Sequence, residues 1–251
     1  MTKPSRLMRF AGSHDLRCQT CSLSALCVPS TLTLRDVERF ESLTRQWPPL
    51  HKRQILLHQE SPFSSLFVVR SGSLKQTSRC PSGDDQITHF FLPGELVGLD
   101  AIGAHHYPGT VTALETTTVC EIPYHHLDGQ SDSVVGLREH LLQVMSRELH
   151  NERMLVRVLL RRTSDVRLAS FFVAMSARFQ RRGYSPHCFR LAMSRADIGS
   201  YLGLAVETVS RLLGRFQQSG LMTTRGREFE IHDLDALSRL AEGEGRQSAL
   251  G

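Results

Sequence analysis

One stretch of this chain leaves little freedom in how it can fold: Arg195-Ala-Asp-Ile-Gly-Ser-Tyr-Leu-Gly-Leu-Ala-Val-Glu-Thr-Val-Ser-Arg-Leu-Leu-Gly-Arg-Phe216. A helix-turn-helix needs a small residue where its helices touch, a residue free to adopt positive φ at the turn, and apolar residues that lock the pair. Gly199 meets the first demand and Gly203 the second, while Ile198, Leu202, Leu204, Val209 and Leu212 meet the third. The expected first helix is capped by Ser194 and runs to about Leu202. The second spans Val206 to Ser219. Leu221-Met222 and Phe229-Glu230-Ile231, turning at Gly226, read as a following hairpin that makes a wing.

In such a motif the first turns of the second helix face base edges in the major groove. Those positions are Glu207, Ser210 and Arg211, which share a face by their i, i+3, i+4 spacing. Arginine can grip guanine O6 and N7 with two hydrogen bonds, glutamate can accept from the cytosine amino group, and serine can contact either base type. The bland alternative is a surface ion pair between Glu207 and Arg211, contributing only about 0.3–0.5 kcal/mol. Charge agrees with the reader role. The net charge is +5, and residues 161–227 carry twelve arginines against Asp165, Asp197 and Glu207. A basic segment of this kind suits phosphate neutralisation.

Upstream, short β-branched or aromatic runs occur at Ile55-Leu57, Leu66-Val69, Ile87-Leu92 and Thr116-Ile122. Ser71-Gly72, Ser82-Gly83-Asp84, Pro93-Gly94 and Pro108-Gly109 separate them, which predicts an antiparallel barrel or jelly roll. Asp132 to Arg162 holds no proline and predicts one long helix. Along it Leu142, Met145, Leu149, Glu152, Val156 and Leu159 follow a 3-4-3-4-3 spacing, the seam of a two-stranded coiled coil. Glu152 is the odd member. A carboxylate in an apolar seam weakens association, so a homodimer built here should be marginal and switchable.

No apolar run of membrane-spanning length occurs, and Met1 to Gly12 lacks a signal-peptide core, so a cytoplasmic protein is expected. In that compartment clustered thiols more often bind metal than form disulfides. Of six cysteines, Cys18, Cys21 and Cys27 lie on one short loop, while Cys80, Cys120 and Cys188 are scattered. Zinc and cubane clusters both normally take four ligands. Cys120, in an expected strand, is preferred by position as the fourth, and zinc completed by His14 remains open.

Taken with the helix-turn-helix, four further segments carry a resemblance. They are Cys-Gln-Thr-Cys-Ser-Leu-Ser-Ala-Leu-Cys at 18–27, Leu-Phe-Val-Val-Arg-Ser-Gly at 66–72, Gln-Ile-Thr-His-Phe at 86–90 and Ala-Leu-Glu-Thr-Thr-Thr-Val-Cys-Glu-Ile-Pro at 113–123. The chain resembles the FNR branch of the CRP/FNR regulator family nearly end to end. The resemblance implies an α+β architecture: a cysteine-rich segment at 1–30, an antiparallel β-roll of the cyclic-nucleotide-binding kind at 31–130, a dimerisation helix at 131–162, and a winged helix-turn-helix at 163–251. It implies a 4Fe–4S cluster on Cys18, Cys21, Cys27 and Cys120, an intact cluster favouring the dimer, and oxygen dismantling it to release DNA. The implied target resembles TTGAT-N4-ATCAA, with Arg211 on the guanine, Glu207 on the opposite strand and Ser210 beside them. Contact with RNA polymerase through Ser71, Gly83, Asp84 and Asp85 is implied in the same way.

Rival readings have identifiable requirements. A cyclic-nucleotide-dependent regulator needs an arginine after the Gly-Glu of the barrel to grip phosphate. Gly94-Glu95 is followed instead by Leu96-Val97-Gly98-Leu99, and no arginine lies between Arg79 and Arg138. An iron–sulfur redox protein, or any enzyme, would need a catalytic constellation or nucleotide fingerprint, and none accompanies the cysteines. Adjacent residues on a strand point apart, so His105-His106 and His125-His126 read as surface residues. A zinc-stabilised regulator without an oxygen response is the third rival.

Overall fold

The fold is described from a computed structural model, over residues 18, 21, 23, 26, 34–79, 83, 85–126, 135–160 and 163–243. Helix α1 (Leu34–Leu43) precedes eight strands: β1 (Arg45–Gln46), β2 (Ile55–Leu57), β3 (Ser65–Ser71), β4 (Leu74–Arg79), β5 (Asp85–Phe91), β6 (Leu96–Val97), β7 (Thr110–Ala113) and β8 (Thr118–Pro123). They form two antiparallel four-stranded sheets ordered β1-β8-β3-β6 and β2-β7-β4-β5. Consecutive strands such as β3 and β4 belong to different sheets, which gives the β-roll that the turn spacing predicts. Phe67, Val69, Leu74, Phe91, Val97, Val111 and Val119 fill the space between the sheets.

Helix α2 (Val135–Leu159) lies within the expected 132–162 span. Its Leu141 packs against Phe40, Leu66, Val68 and Ile122 on the outside of the β1-β8-β3-β6 sheet. Beyond it come α3 (Ser164–Gln180), β9 (Cys188–Arg190), α4 (Arg195–Leu202), α5 (Val206–Gln218), β10 (Met222–Arg225), β11 (Glu228–Ile231) and α6 (Leu234–Glu242). The expected hairpin is present as β10–β11, and β9 adds a third strand in the order β10-β11-β9.

The C-terminal elements do not stand apart from the roll. Ile87, Phe90, Leu92 and Leu114 join the same core cluster as Phe171, Phe172, Ile198, Leu202 and Val209. Polar contacts cross the junction as well. Lys75 Nζ lies 2.7 Å from Asp197 Oδ1, and the Ile87 amide donates to Ser200 Oγ at 3.2 Å. Among the described residues no helix is long and apolar enough to cross a membrane.

Candidate functional site

The helix-turn-helix is built from local rules. Ser194 Oγ accepts from the Asp197 amide, and the Asp197 carboxylate accepts from the Ser194 amide at 2.8 Å, a reciprocal cap on α4. Lys75 and Ser194 hold the Asp197 carboxyl low although burial opposes this. Gly203 ends α4 at φ 63°, and Arg167 Nη1 donates to the Leu202 carbonyl at 3.1 Å. Gly199 lies buried against the turn, where an added Cβ would sit 2.5 Å from the Leu204 carbonyl oxygen.

That geometry presents α5 outward by its buried face, Val209, Leu212, Leu213 and Phe216. Glu207 and Arg211 are exposed and Ser210 is half-buried. Among the described residues, no ion pair joins Glu207 to Arg211, so the two charges stay available to an outside partner. Helix α5 has Ala205 at its N-cap with no side-chain hydrogen bond, which leaves its first amides open to acceptors such as phosphate oxygens. Arg225 is exposed and Arg227 half-buried on the wing hairpin beside it.

The structure divides the basic run that the sequence presents as one block. Arg178 and Arg182 are directed at Glu95 of the β-roll, Arg190 reaches Glu115 at 3.1 Å, and Arg167 caps α4. Those four are engaged by the chain's own groups, Arg190 at the surface and Arg178 and Arg182 in an enclosed cluster. Arg195, Arg211, Arg215, Arg225 and Arg227 are at least partly accessible around α5 and the wing.

Of the cysteines assigned to a cluster, Cys18, Cys21 and Cys120 fall in the described part, and Cys27 lies outside it. Cys120 sits on β8 opposite Val68, and it packs with Cys18 against the same small apolar cluster. The Cys21 amide donates to the Cys18 carbonyl at 3.2 Å, closing one turn of the loop. Burial pushes the Cys18 thiol up to about 11, with Glu41, Cys120 and Cys21 adding to the rise. Cys120 is raised by burial and by Cys21, with Arg70 pulling the other way. Three thiols are therefore near enough to repel one another as thiolates, a donor set that a cation would relieve. Among the described residues no three metal-ligating side chains already stand in coordinating positions. Arg70, on β3, is a neighbour that sequence reasoning did not single out. Cys188 is exposed on β9, and Cys80 lies outside the described residues.

On α2, Leu142, Leu149 and Val156 are 66%, 55% and 54% exposed, Met145 is also exposed, and Leu159 is half-buried. Such a stripe of apolar side chains in water is what an unpartnered seam presents. Glu152 turns toward the roll, its Oε1 lying 3.3 Å from His89 Nδ1 of β5. Ser71 and Asp85 are exposed, Gly83 takes φ 91°, Asp85 pairs with Arg79, and Asp84 lies outside the described residues. His106 Nε2 stands 3.3 Å from Glu60.

Comparison with known proteins agrees with both halves of the chain. A Crp-like helix-turn-helix domain matches residues 166–240, and a cyclic nucleotide-binding domain matches residues 49–132. The transcriptional activator protein anr of Pseudomonas aeruginosa is 48% identical, over 90% of this chain and 93% of that one. The fumarate and nitrate reduction regulatory protein of Escherichia coli K12 is 43% identical, covering 92% of each. Among solved structures, FixK2 from Bradyrhizobium japonicum superposes with a TM-score of 0.71 at 26% identity, over 78% of this chain and 96% of that one.

Proposed function

Because the chain belongs to the CRP/FNR family of transcription regulators, on its FNR/Anr branch, we propose that it is an oxygen-responsive regulator of anaerobic gene expression. It acts as a homodimer on an inverted repeat resembling TTGAT-N4-ATCAA. The observation that supports this most is the packing of Cys120, from the β-roll, and Cys18, from the N-terminal loop, against one apolar cluster. The residues that would hold a 4Fe–4S cluster are Cys18, Cys21, Cys27 and Cys120. When bound, such a cluster supplies an oxygen-labile cross-link between that loop and β8.

The chain's own residues do the rest. Cys120 is fixed by its ladder to Val68, so the loop is what must come to it. Leu142, Met145, Leu149, Val156 and Leu159 bury against a second copy of α2, while Glu152, expected in that seam, is drawn toward His89 of the roll and leaves the seam apolar. Two copies of α5 then enter successive major grooves, where Arg211 reads guanine, Glu207 reads the opposite strand and Ser210 contacts a neighbouring base. Ser71 and the 83–85 turn are the surfaces assigned to RNA polymerase. Glu95, engaged by two guanidiniums, is withdrawn from any nucleotide hydroxyl, which favours this reading over a cyclic-nucleotide response.

Purification under nitrogen tests the proposal. The expected product is a coloured protein with about four irons per chain by analysis, binding the repeat under nitrogen and releasing it in air. A colourless protein holding zinc, or binding indifferent to oxygen, overturns it. Within the dimer, Arg211→Ala should relax preference at one base pair by about 1–3 kcal/mol, measured by competition among single-base variants of the site. Equal loss on every sequence would assign Arg211 to phosphate instead.

A further inference from the structure

The turn that follows β5 touches two separate parts of the molecule. Glu95 Oε1 accepts from Arg178 Nε at 3.0 Å and from Arg182 Nη2 at 2.5 Å, while Oε2 accepts from the Leu92 amide at 2.9 Å. The guanidiniums also bond the main chain of that segment, Arg178 to the Phe90 carbonyl and Arg182 to the Pro93 carbonyl. All three side chains are largely enclosed, with 19%, 13% and 5% exposure for Glu95, Arg178 and Arg182. Burial alone would raise the Glu95 carboxyl, and the two arginines hold it down at about 2.

On its other side the turn meets the cysteine loop. Gly94 takes φ 85°, and an added Cβ would lie 2.9 Å from Leu26 Cβ. Leu26 immediately precedes Cys27. Arg178 lies in the last turn of α3 and Arg182 just beyond it, and Phe171, Phe172 and Met175 of that helix share a core with Ile198 and Leu202 of α4 and Val209 and Leu212 of α5. Whatever fixes α3 therefore fixes the reading helix.

We propose that Glu95 is a positioning residue for DNA recognition, setting the angle of α5 relative to the β-roll, and that the Leu26–Gly94 contact makes this setting responsive to the cysteine loop. This rests on the reading above that the chain binds an inverted repeat. The route is separate from the dimer seam. Dimerisation decides whether two readers are joined, whereas Glu95 decides how they are aimed. In a symmetric dimer, aim is expressed as half-site spacing. One base pair more or less turns a half-site by roughly 34–36°, so a rigidly aimed pair should accept one spacer length and reject its neighbours.

The test compares the whole anaerobic protein with its Glu95→Gln variant on repeats whose spacer is four base pairs, or one shorter or longer. Wild type should prefer its proper spacer by about a hundredfold, the scale of roughly 2.7 kcal/mol, and Glu95→Gln should narrow this to a few-fold. Binding to a single half-site and the mass of the dimer should stay unchanged. An unaltered spacing preference in Glu95→Gln refutes the positioning role. So does an equal loss on the half-site, which would mean that the helix-turn-helix itself had been damaged. If wild type binds no repeat at all, it is the function proposed above that fails. Hydrogen exchange at residues 178–182, in protein with and without iron and sulfide reconstitution, should change in wild type and not in Glu95→Gln. No change in wild type removes the loop from the relay.

Discussion

Cys120→Ala is expected to abolish specific DNA binding by protein prepared without oxygen, and Cys188→Ala to leave it intact. The difference follows from where the structure puts the two thiols. Cys120 is laddered between Gln46 of β1 and Val68 of β3, and it shares an apolar cluster with Cys18. Cys188 is exposed opposite Glu230 on the wing sheet. On the proposed assignment, Cys120→Ala removes the one ligand that the β-roll would supply and so the cluster's link between the loop and β8. Without it the seam should fall below its association threshold. Affinity for the repeat should then approach the non-specific level, a loss of roughly a thousandfold or more. Fluorescence anisotropy under nitrogen, with iron analysis of the same samples, measures both effects. Equal tolerance of the two substitutions would refute the ligand assignment.

Gly199→Ala should silence DNA binding by a different cause. The added methyl would meet the Leu204 carbonyl oxygen at 2.5 Å. That oxygen has little room to retreat, because the Leu204 amide donates to the Gly199 carbonyl at 2.8 Å and ties the two residues together. Helices α4 and α5 must separate, at a cost of about 1–3 kcal/mol of overpacking. The readers on α5 then lose their register with the groove. Iron content and dimer mass should remain those of wild type, and only the DNA isotherm should collapse. Gly103→Ala is the control, since nothing lies within 4 Å of its added Cβ. Full activity in Gly199→Ala would show that the close approach is not needed.

How much could be read in advance depended on the range of the forces involved. The helix-turn-helix was legible because its requirements are local: a cap at Ser194, a buried glycine at 199, and a left-handed one at 203. The β-roll was legible as a class from turn spacing, and α2 from the absence of proline. Helix α6 was not anticipated, although Asp233 caps it and Gly243 ends it, both local signals. Strand β9 is three residues long and exists through its ladder to β11, a pairing that short alternation cannot announce. Long-range charge was the least legible. Glu95 finds Arg178 across 83 positions of chain, and Glu152 finds His89 across 63, so neither partnership leaves a spacing to detect. The same blindness made the arginines of the C-terminal region look like one DNA-facing group. Cys120 was chosen by position among three candidates, and only the fold brings it beside the loop.

The ladder that carries Cys120 also bears on how the protein matures. A growing chain releases Cys18, Cys21 and Cys27 early, but Cys120, their proposed partner, sits on β8, whose register with β3 joins residues about fifty positions apart. Closing so large a loop has an entropic cost that is offset only once the roll condenses. The proposed four-thiol site thus comes into being only once β8 has been made and the roll has condensed. A delivery system for iron and sulfide would meet a condensed roll that already carries Cys120 on β8. Loading would therefore wait on the roll and not on the loop.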